Sequence, residues 1–65
     1  MVTIHAHNAI IKEAERIGLE FNGVSEMLGE VYLCFTGKKN PTTFLTDPGE
    51  GTIGLMANAK RSGAL

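Results

Sequence analysis

"VYLCFTGKKNPTTFLT", Val31 to Thr46, is the stretch whose reading decides the fold. Val31, Leu33 and Phe35 alternate with Tyr32, Cys34 and Thr36, the period of two that a half-buried strand imposes on its side chains. Gly37 to Pro41 is turn chemistry, and Thr42 to Thr46, rich in threonine and apolar residues, reads as the strand that returns antiparallel. A lone hairpin of this size is not stable in water, so one of its faces must be covered by something else in the chain.

Upstream, Leu19 and Phe21 alternate with Glu20. Asn22-Gly23 then carries the strongest two-residue hairpin signal in the sequence, so a turn is expected there with a short strand after it. Ser25 to Gly29 admits two readings, a single helical turn capped by Ser25 or a strand over residues 24–28.

The cover for the sheet comes from the two ends. Ala6, Ala9, Ile10, Ala14 and Ile17 recur at three- and four-residue steps, which places them along one stripe of a helix over about 4–17. Lys12, Glu13, Glu15 and Arg16 fall on the other side, with Lys12/Glu15 and Glu13/Arg16 spaced to meet across a turn. Thr3 is the expected N-cap, with Asn8 a later alternative, and Gly18 the residue that stops the helix. A second, shorter helix is expected over about 53–62, with Ile53, Met56, Ala57 and the Lys60 stem facing inward, Thr52 as its cap and Gly63 as its stop. The fold class is therefore α+β: one small domain, 1–65, with an N-terminal amphipathic helix packed on an antiparallel sheet of two or three strands and a short C-terminal helix.

Gly49-Glu50-Gly51-Thr52-Ile53-Gly54 spells G-x-G-x-x-G between a strand and a helix. The dinucleotide fingerprint also needs a parallel βαβ unit and an acidic residue ~20 positions further on. The sequence runs only to Leu65, no acid follows Glu50, and Glu50 would set negative charge beside a pyrophosphate. As a P-loop the segment lacks Lys and Ser/Thr, since Leu55-Met56 stands in their place. Asp47-Pro48-Gly49 instead reads as a turn, with proline presetting φ and glycine taking the positive φ that follows. Anion binding by backbone amides at the start of the last helix is the one functional reading left to this loop.

Composition narrows the rest. A chain of 65 residues buries roughly 60% of its unfolded surface, so its core is thin and further burial in a homo-oligomer or a partner complex is favoured. One cysteine, Cys34, excludes an intramolecular disulfide framework. No apolar run approaches the ~20 residues of a membrane span, and the first residues lack the pattern of a signal peptide. A cytoplasmic protein without membrane contact is expected. The net charge of −1 supplies no broad field for nucleic acid, although four of the six basic residues form the doublets Lys38-Lys39 and Lys60-Arg61.

No residue set carries catalysis. His5 and His7 point ~200° apart on a helix and no further ligand lies nearby in sequence, so no metal is expected. Cys34 has no base linked to it by spacing and reads as a small hydrophobe. Glu13, Glu15, Glu20, Glu26 and Glu30 read as solvated faces. No catalytic residue and no cofactor is expected.

The order of one helix, three strands and one helix resembles that of double-stranded-RNA-binding domains, whose last helix also follows a glycine-bearing loop. "GEGTIGLMANAKRSGAL", Gly49 to Leu65, is similar to that region. The lysine cluster that opens the last helix of that family is replaced here by Thr52-Ile53-Gly54-Leu55, and no residue role is carried over. The expected function is a small non-enzymatic protein–protein interaction module, of the kind that serves as an accessory or inhibitory protein in bacteria or phages. Tyr32 and Cys34, on the sheet face away from Leu33 and Phe35, are its expected interface. The alternative is nucleic-acid binding through Lys38, Lys39, Lys60 and Arg61.

Overall fold

The computed structural model describes residues 4–65, with side chains from His7 onward. The elements run α1 (Ile4–Arg16), β1 (Leu19–Met27), β2 (Glu30–Gly37), β3 (Thr43–Thr46), a 3-10 turn (Pro48–Glu50) and α2 (Gly51–Ser62). The three strands form one antiparallel sheet in the order β1-β2-β3. This is the expected α+β architecture, with three strands rather than two. The Thr3 cap lies outside the described residues. Gly18 (φ 93°) and Gly63 (φ 86°) end the two helices, and the Gly63 amide bonds back to Ala59 and Lys60.

Leu33 and Phe35 of β2 are fully buried and central to the core. Phe35 lies between Phe21 of β1 (ring centroids 5.4 Å apart) and Phe44 of β3 (5.9 Å), both at tilted angles. Burying one such side chain contributes about 1.5–3 kcal/mol. Leu19, Ile10, Ala14, Leu55, Ala59 and Ala64 complete the cluster. Both helices therefore cover the same face of the sheet.

Asn22-Gly23 is not a turn. β1 runs straight through it to Met27 and pairs with β2 from Leu19↔Gly37 to Met27↔Glu30. Phe21 pairs with Phe35 and Gly23 with Cys34, so Asn22 is the extra residue of a β-bulge. The bulge brings Val24 to the face that Phe21 occupies. A turn at residues 22–23 would have left Val31 to Leu33 without partners, and the longer ladder prevails over the local signal. Asn22 then bonds across the sheet to the Thr36 hydroxyl, which lies 3.1 Å from that of Thr43. The turn itself is Leu28-Gly29, both at positive φ (52° and 78°), the signature of a type I′ hairpin. Of the two readings of Ser25 to Gly29, the strand is therefore right as far as Met27.

In α1 the buried stripe is Ile10 and Ala14, with Ile11 and Ile17 partly buried. Ala9, expected inside, is exposed. Ala9 and Ile11 flank Ile10 on opposite sides, and the larger isoleucine takes the inward position because it buries more apolar surface.

The Asp47 carboxylate accepts the Gly49 amide at 2.9 Å, and the Asp47 carbonyl accepts that of Glu50 at 2.9 Å. The positive φ expected at Gly49 falls instead at Gly51 (66°). Thr52 is inside α2, and Glu50 caps the helix without a side-chain cap bond. The inward face of α2 is Gly54, Leu55 and Ala59, whereas Ile53 is 83% exposed and Ala57 is also outside. Residues 53 and 55 lie ~200° apart on a helix, so only one of them can face the sheet. Leu55 prevails because its neighbours on that side are small and let α2 approach closely. On the same side Asn58 donates to the hydroxyl of Thr46 at 3.0 Å, which satisfies the one buried polar side chain of the sheet.

Candidate functional site

The two helices leave three regions of the sheet open. The first is its outer face, where Tyr32 and Cys34 project half-buried beside Leu45, which pairs with Cys34. The face is mixed, because Thr36, Thr43 and Asn22 share it in a polar row. The Asn22 amide nitrogen lies 3.9 Å from the Cys34 sulfur.

The second region is the end of the molecule where β2 finishes. The Lys38 amide donates to the Gly18 carbonyl at 3.2 Å, and Asn40 donates its side-chain amide to the Gly63 carbonyl at 2.5 Å. Ala64, bonded to the Ala59 carbonyl at 2.9 Å and 2% exposed, closes over Gly37. A Cβ on Gly37 would stand 2.6 Å from the Ala64 carbonyl oxygen and closer still to that of Asn40, so only glycine fits here. Against this base lies a depression of about 560 Å³, floored by Ile17, Ala64 and Leu65 and rimmed by Lys38 and Lys39. Lys60 and Arg61 lie one turn before Gly63, so the Asn40–Gly63 bond brings both basic doublets to the same pole. They do not share a depression: Lys60 borders a shallower one, with Glu13, Ile53 and Met56.

The third region is the tip of the β1–β2 hairpin, which sequence reasoning did not single out. β3 pairs only with Leu33 to Thr36, so among the described residues the far half of the hairpin has no third strand. Val24 (60% exposed), Met27 (47%), Leu28 (101%) and Val31 (39%) are four of the six large hydrophobic side chains exposed among the described residues. Leu28 is also the one non-glycine residue at positive φ among them. A bulky residue in that conformation is uncommon and strained, and asparagine or glycine would be easier there. Glu26 and Glu30 flank it, both exposed. A cue existed in the sequence: Met27-Leu28 immediately before a glycine is an apolar pair where a turn is normally polar.

At the glycine-rich loop, Glu50 folds back over the first turn of α2. A Cβ on Gly54 would stand 2.6 Å from the Glu50 carboxylate oxygen. The chain's own negative charge therefore sits where the helix dipole and free amides would attract an anion. Arg16 and Glu13 form the one ion pair among the described residues, at 2.5 and 3.0 Å through two nitrogens. The bonds from Arg16 hold the Glu13 carboxyl below its ordinary value, and Arg16 is correspondingly raised. Among the described residues no three His, Cys, Asp or Glu side chains are grouped to hold a metal, and no helix is long and apolar enough to cross a membrane. The side chain of His5 lies outside the described ones; His7 is half-buried on α1.

No protein-family model matches the chain, and no curated protein and no solved structure matches it.

Proposed function

We propose that this protein is a small, non-enzymatic protein-interaction module that presents the β1–β2 hairpin tip to its partner. The observation that carries this reading is Leu28: fully exposed and left-handed, at the end of a hairpin on which Val24, Met27 and Val31 are exposed as well. Exposure and strain both weigh against leucine for folding, and strain of this kind gathers at functional positions. Supporting the same reading is the thin core of the chain. An accessory or inhibitory role in the cytoplasm of a bacterium or its phage fits a module of this size with a single, unpaired cysteine.

The test is a photo-crosslinking amino acid placed at position 28, with position 43 on the outer face as control. In native cells position 28 should give a discrete protein adduct and position 43 should not. No adduct from position 28 overturns the reading.

A second reading, nucleic-acid binding, draws on the gathering of Lys38, Lys39, Lys60 and Arg61 at one pole. It requires salt-dependent binding that Lys38→Ala/Lys39→Ala weakens. Retention of full binding by that variant, or no binding at low salt, removes it.

A further inference from the structure

The base and the tip lie at opposite ends of β2, about seven residues or ~23 Å apart, so a chain cannot fold its own tip onto its own base. Their chemistry is complementary. The tip carries two exposed apolar side chains, Met27 and Leu28, and two exposed carboxylates, Glu30 on the face of Met27 and Glu26 on the opposite face of the hairpin. The base offers an apolar floor, Ile17 with Ala64 and Leu65, beneath two exposed ammonium groups, Lys38 and Lys39. Among the described residues none of these four charges has an ion-pair partner within its own chain. At about 560 Å³ the depression is of a size that receives compact ligands, and it is open rather than sealed. Its walls are fixed by the Lys38–Gly18, Asn40–Gly63 and Ala64–Ala59 hydrogen bonds, so little ordering is required on docking.

Resting on the reading of the tip as an interaction surface, we propose that its partner is a second copy of this chain: the hairpin tip of one molecule docks in the base depression of the next, Leu28 on the apolar floor and Glu26 and Glu30 against Lys38 and Lys39. The contact joins two different surfaces, so each bound molecule keeps one free tip or one free base. Growth then continues head to tail until a ring closes or the ends remain open. Opposite charges fix the polarity of the contact, because tip against tip and base against base both oppose like charges.

Sedimentation equilibrium on purified protein tests this. Wild type should gain mass with concentration beyond a dimer. Leu28→Asn should weaken the association by about tenfold or more, the usual effect of losing an apolar anchor. Asparagine suits the left-handed turn position, so this variant keeps the fold, and circular dichroism checks that it does. Lys38→Glu/Lys39→Glu should weaken the association as well, since charge reversal at the base then repels Glu26 and Glu30. Mixed together, the two variants have one intact base and one intact tip between them, and should form a 1:1 complex and nothing larger. Wild type that stays monomeric throughout, self-association untouched by Leu28→Asn, or a mixture that stays monomeric overturns the proposal. The position-28 adduct separates this failure from that of the module reading. An adduct with a different protein, from a chain that is monomeric when pure, ends the head-to-tail contact and leaves the module standing; no adduct ends both.

Discussion

The two ends of β2 treat their residues in opposite ways. At the base, polar turn residues are tied into the fold: Lys38 and Asn40 bond to the ends of α1 and α2, and Gly37 is pressed between two backbone carbonyls. At the tip, apolar residues stand in solvent, and among the described residues no third strand pairs beside them. The base follows the rules of stability, and the tip departs from them. The contrast teaches where function should be sought in a small domain: at the place where local chemistry and local environment disagree.

The largest effect should come from Gly37→Ala. The added methyl group meets backbone on two sides and cannot be accommodated by a rotamer change, so a loss of about 2–3 kcal/mol is expected by urea unfolding. A loss below ~0.5 kcal/mol would mean that the base is far looser than its geometry. Next is Thr46→Val, which leaves the Asn58 amide without its partner beneath α2. It should cost about 1–2 kcal/mol, and Thr46→Val/Asn58→Leu should recover part of it because the stranded donor is gone.

The tip should respond with the other sign. Leu28→Asn relieves a left-handed leucine and removes an exposed apolar side chain, so stability should rise by up to about 1 kcal/mol. Destabilisation by this change would show that Leu28 packs on the fold and would erase the contrast. The smallest effect concerns the Glu13–Arg16 pair on α1. Since the folded carboxyl is held below its ordinary value, the pair's contribution is present above the unfolded carboxylate range and is lost as pH falls through the lowered folded value. Both groups meet solvent, so added salt should shrink this pH dependence, and Arg16→Gln should remove it. Acid unfolding followed at two salt concentrations reads the difference.

Much of the fold was legible where side-chain period and burial agree. The alternation of Val31, Leu33 and Phe35 located β2, and the turn residues after it located β3. The stops at Gly18 and Gly63 followed from backbone chemistry alone. The misreadings share one cause: a local signal met a tertiary competitor. Asn22-Gly23 has the residues of a tight turn, but the ladder to β2 is worth more than the turn, so the pair becomes a bulge. Ile53 and Leu55, apolar residues of equal size, compete for the inward position at the start of α2. The face of Leu55 and Ala59 faces inward, because small residues allow close approach and Asn58 satisfies Thr46. Tyr32 and Cys34 were placed on the outer face by period alone. The tip was missed because exposure depends on how far β3 and the helices extend along β2, which no spacing in the sequence states.

The central claim is that the hairpin tip and the base depression meet between molecules. Amide chemical shifts of isotope-labelled wild type, followed from ~10 µM to ~1 mM, test it most directly, since that range spans weak to moderate self-association. Residues 26–31 and residues 17–18, 38–40 and 64–65 should shift together with concentration, while Thr36, Thr43 and the outer face stay still. Shifts centred on Tyr32 and Cys34, or at only one of the two ends, would contradict it.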